Sequence, residues 1–167
     1  MSDLEKYKDY KTILAVIAIL RCNGKFLLLK RAGNKEVDPD IYSGVGGRVE
    51  PGESFLEAIV REVKEETGLA ISPEKFRPAG IVQAPDPNDD AEWVMPIFVC
   101  DLDKQEQIPS SEDGDFYWIN PAKTENLNVL PDLADLLQVW QGRKSCGKEI
   151  LYSFPFFRCQ VLVCVSW

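Results

Sequence analysis

The apolar positions fall in short blocks whose period changes along the chain. Residues 12–20 are apolar and rich in β-formers, and residues 26–30 read as a return strand. Between them Cys22-Asn23-Gly24-Lys25 carries Asn-Gly, a strong hairpin-turn signal. A polar stretch over 32–40, with Gly33, Asn34 and Pro39, predicts a loop, and 42–45 a short strand. Three glycines, Gly44, Gly46 and Gly47, then crowd the backbone before a Pro51-Gly52 turn. From here the period becomes helical. Phe55, Leu56, Ile59, Val60 and Val63 recur at helical spacing. Ser54 with Glu57 makes a capping box, and Gly68 stands where a left-handed residue ends a helix, so a helix is predicted over 54–67.

Further along, the pattern predicts strands at 80–83, 92–101 and 116–119, with a Pro- and Asp-rich loop over 84–90. Leu133, Leu136, Leu137 and Trp140 form one stripe of a second helix over 131–140, stopped at Gln141-Gly142. Strands before, between and after two separated helices predict a mixed α/β or α+β sandwich. The length, 167 residues, suits one domain spanning 1–167. The segment 143–167 is a polar run followed by an apolar one, interrupted by Pro155 and Arg158. It reads as one or two further core strands, with self-association into a homodimer as the alternative.

Composition removes several chemistries. The chain has no His, so a Ser-His-Asp machine and a His-ligated zinc site are excluded. The formal net charge of -8 argues against a nucleic acid polymer as partner. It leaves room for a small phosphorylated ligand if a cation bridges the like charges. Five widely spaced cysteines without a CxxC pair make a poor disulfide framework and predict reduced thiols in the cytoplasm. The charged residues 1–10 lack the apolar core of a signal peptide, and no apolar run approaches the roughly 20 residues that span a bilayer. No membrane partner is expected.

The predicted first helix holds the candidate chemistry. Glu62 and Glu66 are four apart and share a face, Glu65 flanks it, and Glu53 lies just before the helix. Carboxylates gathered this way repel unless a cation neutralises them. Mg²⁺, which takes oxygen ligands and commonly bridges carboxylates to phosphates, is suited to that role. The competing reading is a solvated face braced by the Glu57–Arg61 and Arg61–Glu65 pairs. Taken alone, the carboxylates favour that blander reading, because charged helix faces are mostly exposed.

The spacing changes the balance. Gly47, five residues, Glu53, seven residues, then Arg61-Glu62-Val63-Lys64-Glu65-Glu66-Thr67-Gly68-Leu69 resembles the Nudix box without a mismatch. The resemblance extends over about 12–140. It implies an α/β/α sandwich around a mixed sheet, and a hydrolase that cleaves a nucleoside diphosphate linked to another group with Mg²⁺ or Mn²⁺. On this chain it implies Glu62, Glu65 and Glu66 as metal ligands, joined by the carbonyl of Gly47 or its neighbour Gly46. Glu53 would support the cluster, Arg61 would orient a glutamate, and Glu65 or Glu66 would accept the proton of the attacking water.

The approach over 42–50 is similar to that of the MutT-like branch. That branch often has Asn where Ser43 stands and an acidic residue in the segment matching Leu130-Pro131-Asp132. The resemblance thus makes Ser43 and Asp132 candidate contacts to a purine edge. Lys30 and Arg31 are candidates for the phosphates, and Trp93, Trp118 and Phe116 for stacking, each with an ordinary structural explanation as rival. The expected substrate is a nucleoside triphosphate or a related nucleoside diphosphate derivative. Nucleotide sugars, dinucleotides and isoprenoid diphosphates are the alternatives within the enzyme class, and a non-catalytic nucleotide sensor lies outside it.

Overall fold

The computed structural model describes residues 11–35, 38–86, 90–130, 133–134 and 137, together with the backbone of 160–163. The Asn-Gly hairpin forms as the sequence predicts. It joins β1 (Lys11–Cys22) to β2 (Lys25–Arg31), with Asn23 and Gly24 both at positive φ. The two strands pair only beside the turn, at Arg21↔Phe26 and Cys22↔Lys25. They then separate, and the next segment fills the gap. β3 (Tyr42–Ser43) pairs with β2, and β4 (Val45–Arg48) pairs with β1. The single strand expected at 42–45 is thus two, changing partner at Gly44. A Cβ there would stand 2.8 Å from Ile17 Cγ2, which explains why the crossing residue carries no side chain.

On its other edge β1 runs parallel to β6 (Ala91–Asp101), which pairs antiparallel with β5 (Arg77–Pro85). β7 (Gly114–Ile119) closes the far side against β2. The expected strand at 80–83 is longer, because pairing continues through Ala84↔Trp93 and Pro85↔Glu92. The loop predicted over 84–90 shrinks accordingly. Pro85 sits at the end of its strand, where a missing donor costs least. β8 (Gln160–Val163) pairs antiparallel with β5, so part of the C-terminal apolar segment joins the sheet. The rest of 143–167, like Leu136 and Trp140 of the second expected helix, lies outside the described residues.

Alternation along β1 separates two cores. Val16, Ala18 and Leu20 face one way and pack with Ala58, Ile59 and Val63 of α1 (Phe55–Thr67). Ile19, with Leu28, Val82 and Ile97, faces the other way and packs with Val129, Leu133 and Leu137. Leu133, Ala134 and Leu137 are helical. The result is a mixed sheet with helical residues on both faces, an α/β fold. No helix among the described residues is long and apolar enough to cross a membrane.

Local signals account for α1. The Ser54 hydroxyl accepts the Glu57 N–H at 3.3 Å, the Glu57 carboxylate accepts the Ser54 N–H at 2.9 Å, and Gly68 ends the helix at φ 74°. The buried stripe is Ala58, Ile59, Val63 and Thr67. Phe55 and Leu56, expected on that stripe, are instead 37% exposed each. Leu56 turns with Val60 and Lys64 toward Pro73, along an open groove.

Candidate active site

At 3.6 residues per turn, Glu62 and Glu66 fall between Ala58 and Val63 on the circumference of α1. The sequence therefore aims two carboxylates into the face that covers the sheet. Large side chains on β4 would collide with them, and β4 supplies glycine there. A Cβ on Gly47 would lie 2.6 Å from the Glu62 carboxylate carbon and both its oxygens. Gly46 adopts φ 155°, and a Cβ on it would come within 2.0 Å of the Val16 carbonyl oxygen. The glycine cluster is a close-approach device between a strand and a charged helix face.

Arg61 organises three of the glutamates. Its Nε and Nη2 grip the Glu53 carboxylate in a fork at 2.8 and 2.9 Å. Its Nη1 donates to Glu62 at 2.8 Å and to Glu65 at 3.1 Å. Nη2 also donates to the Arg48 carbonyl at 3.0 Å, tying the helix to the end of β4. The Glu53 carboxylate accepts the Glu50 N–H as well, at 3.0 Å. Arg61 followed by that N–H holds the Glu53 carboxyl down at about 2. The Arg61 guanidinium is held even more firmly in its charged form, by Glu53 first.

Glu66 lies apart from this network and behaves oppositely. It accepts the Gly46 N–H at 3.2 Å. Burial pushes its carboxyl up to about 7, and the neighbouring charges of Glu62 and Asp113 add to the rise; the Gly46 N–H and Arg31 oppose it. The site thus combines a carboxylate held in its ionised form, Glu53 just before the helix, with one on α1 poised near neutrality, Glu66. Glu65 is the outermost of the set, with 60% of its side chain exposed.

As placed, no three acidic or thiol side chains among the described residues converge tightly enough to cage a metal ion. Arg61 draws Glu53, Glu62 and Glu65 to itself, and Gly46 draws Glu66. The donor chemistry nevertheless fits a hard divalent cation: four carboxylates, with no sulfur or nitrogen ligand among them. Backbone alternation bears on the carbonyl expected from Gly47 or Gly46. The Gly46 N–H and the Arg48 carbonyl both turn to α1, while Gly47 is registered with Val16 and the Val49 N–H bonds the Leu14 carbonyl. The backbone N–H and C=O groups at odd positions of this strand serve β1 and those at even positions turn to the helix, which favours the Gly46 carbonyl over that of Gly47.

The candidate substrate contacts separate by face. Arg31 shares the α1 side and acts on the Glu66 charge. Lys30, one residue earlier, points the other way. It pairs with Asp40 at 3.1 Å and lies beside Tyr42 and Tyr117, whose rings meet edge to face at 6.2 Å. Ser43 is half-buried, in register with Leu29. Asp132 lies outside the described residues. Trp118 and Phe116 pack against the α1-side core, and the Trp118 indole donates to the Glu106 carbonyl at 2.9 Å. The sequence reading missed Gly46 as a hydrogen-bond donor to Glu66, Arg48 as an anchor for Arg61, and Asp113 as a neighbour of Glu66. Gly46 stands just before the box and Arg48 in its unspecified part, and Asp113 reaches the site through the β2–β7 pairing.

Comparison with known proteins agrees with this geometry. The NUDIX domain family model matches residues 11–140. The chain is 35% identical over 133 residues to the ADP-ribose pyrophosphatase of Methanocaldococcus jannaschii, covering 79% of this chain and 73% of that protein. It is 32% identical over 122 residues to the nucleoside triphosphatase NudI of an Enterobacter species, covering 69% of this chain and 84% of that protein. Among solved structures, the MutT protein of Methanosarcina mazei superposes with a TM-score of 0.67 at 23% identity, over 80% of this chain and 96% of that one, which shows a shared fold. With the box glutamates gathered on α1 beneath the glycines of β4, and the family matched over most of its length, the chain belongs to the Nudix family.

Proposed function

We propose that this protein is a divalent-metal-dependent pyrophosphohydrolase that cleaves the diphosphate linkage of a nucleoside triphosphate or a related nucleoside diphosphate derivative, in the cytoplasm. The carrying observation is the pair Glu62 and Glu66, aimed inward on α1 under Gly46 and Gly47 of β4 and flanked by Glu65 and the Glu53–Arg61 fork. Glu62, Glu65 and Glu66, with the Gly46 carbonyl, are the groups that would hold Mg²⁺ or Mn²⁺. Such a cation supplies polarisation of a phosphoryl oxygen and a water of lowered pKa.

The protein's own part is positional and electrostatic. Arg61 gathers Glu53, Glu62 and Glu65 around one guanidinium, so a cation has only to draw neighbouring carboxylates toward itself rather than collect them from solvent. Glu66, buried against β4, and the exposed Glu65 are the two carboxylates that could accept the proton of the attacking water. Relatives named for ADP-ribose and for nucleoside triphosphates support both substrate classes, and a MutT-like approach to the box favours the triphosphates.

The test is hydrolysis with product identification. The substrates are normal and oxidised nucleoside triphosphates, ADP-ribose, nucleotide sugars and dinucleoside polyphosphates, each with Mg²⁺, Mn²⁺ or EDTA. The expected result is metal-dependent hydrolysis, giving pyrophosphate and a nucleoside monophosphate from a triphosphate, or two phosphomonoesters from a nucleoside diphosphate derivative. Turnover undiminished by EDTA, or none on any substrate by folded protein, would overturn the reading.

A further inference from the structure

We infer that Trp93 and Asp86 are positioning residues for the carboxylate cluster, acting from the opposite face of the sheet through Arg48 and Arg61; for its kinetics the inference rests on the hydrolase reading above. The point of transmission is one peptide plane at the end of β4. Its carbonyl, that of Arg48, accepts from Arg61 Nη2 at 3.0 Å on the helix side. Its N–H, that of Val49, donates to the Leu14 carbonyl at 3.0 Å on the β1 side. The plane thus stands between the sheet and the guanidinium that gathers Glu53, Glu62 and Glu65. Arg48 is the last residue of β4, so what fixes it sideways must come from its own side chain.

That side chain leaves on the face away from α1, since Val45 of the same strand packs toward α1. There it reaches across β1. Arg48 is registered with Ala15 of β1, and Trp93 of β6 with Ile13. Ala15 is small and buried, which leaves room for the arginine stem to cross. The Arg48 guanidinium carbon stands 5.3 Å from the centroid of the Trp93 ring. Trp93 is held in turn. Its indole N–H donates to the Asp86 carboxylate at 2.9 Å, and the Asp86 N–H donates to the Ala91 carbonyl at 2.9 Å, at the end of the β5–β6 ladder.

Every link from Asp86 to the glutamates is therefore a direct contact. Arg21 and Arg77 sit on Asp101, whereas among the described residues no carboxylate pairs with Arg48, and the ring is what orients its side chain. An indole clamped at its edge by a hydrogen bond is a fixed platform for that cation. The end of β4 is thus pinned to β1 by a hydrogen bond and to β6 by the stack. With the stack removed, the peptide plane can rock about its bond to Leu14 and carry with it the carbonyl that Arg61 grips. A guanidinium over an indole at an exposed position is worth about two- to fivefold in an equilibrium, which sets the size of the effect.

The experiment compares wild type with W93L, W93F, D86A, R48A and R48K, and with W93L in the R61K background. Three readouts are taken: exchange of the Arg61 Nε–H with water by NMR in EDTA, assigned with R61K; the apparent affinity for Mg²⁺; and kcat and KM on the best substrate. W93L and R48A are each expected to speed the exchange, weaken Mg²⁺ and lower kcat by about two- to fivefold, with substrate KM unchanged. D86A frees the ring and gives a smaller part of the same change. W93F keeps an aromatic face and R48K keeps the cation, so both lie closer to wild type. W93L adds nothing once Arg61 is Lys, because the contact acts through the guanidinium fork.

The inference is overturned if W93L and R48A lower the melting temperature but leave the Arg61 exchange and the Mg²⁺ affinity unchanged, which is what a merely structural contact would do. It is overturned as well if R48A acts on substrate KM alone, or if W93L has the same effect with Lys at position 61 as with Arg. Should W93L fail to fold, R48A, a change at an exposed side chain, decides by the same readouts. If no substrate is turned over, the hydrolase reading fails. The Arg61 exchange needs neither metal nor substrate, and still upholds or removes the positioning role.

Discussion

Two clusters in this protein are built from arginine and carboxylate, and they have opposite stoichiometry. At the hairpin end of the sheet, Arg21 grips Asp101 in a fork at 2.7 and 2.8 Å, and Arg77 from β5 pairs with the same carboxylate. Two cations answer one anion. At α1, the single guanidinium of Arg61 answers Glu53, Glu62 and Glu65, with Glu66 close by. The first cluster needs nothing further, and its carboxylate is half exposed. The second retains surplus negative charge in a half-buried place. Counting charges across an ion-pair network therefore tells a brace from a site, where the mere presence of salt bridges does not.

The largest expected effect separates the clusters by chemistry. E66Q and E62Q are isosteric and should fold, yet each should lower kcat by about 10²–10⁴. D101N should leave kcat within twofold. A steady-state assay on the best substrate reads both, and an E66Q variant of near-wild-type rate would break the assignment of Glu66. Next in size is the organiser. R61K keeps the charge but loses the fork, and a partner that orients metal-binding groups is typically worth about 10–100-fold in activity. R21K at the other cluster should not alter turnover.

Metal sharpens the contrast further. Mg²⁺ at a hundred times its dissociation constant should stabilise the folded protein by about 2.7 kcal/mol, seen as a rise of a few degrees in melting temperature. E62Q should lose that rise, while D101N should keep it. A metal-induced shift that survives E62Q and E66Q together would place the cation elsewhere.

The two regions also differ in how far the sequence disclosed them. The α1 site was legible because its signals are local. Ser54 and Glu57 cap each other, Gly68 ends the helix, and the glutamates repeat at the helical period. What escaped was whatever depends on two strands meeting. No pattern near Arg48 points to Trp93, forty-five positions on, and their contact exists only because β4 and β6 flank β1. Lys30 and Arg31 look equivalent in sequence, but strand alternation sends Arg31 toward Glu66 and Lys30 to Asp40. Asp101, Arg21 and Arg77 carried no signal at all, being brought together by the β1–β6–β5 order.

The smallest effects lie in the pH dependence of stability, where the clusters should move in opposite directions. Glu66 has its folded pKa raised from an ordinary 4.5 to about 7 by burial first. The folded state therefore binds its proton more tightly than the unfolded chain does. Its contribution to stability is complete below about 4.5 and is lost as pH rises through about 7, so in EDTA the protein should weaken across that interval and E66Q should flatten the decline. Asp101 has its pKa lowered from 3.8, by Arg21 first. Its contribution is present above that ordinary value and is lost as pH falls below it. D101N should therefore remove part of the acid limb alone and change neutral-pH stability by no more than about 1 kcal/mol, the usual scale of an exposed pair. Chemical denaturation from pH 3 to 8 in EDTA separates the two. If D101N instead altered the decline between 4.5 and 7, the clusters would be coupled through β1 and β6, and the division between brace and site would not hold.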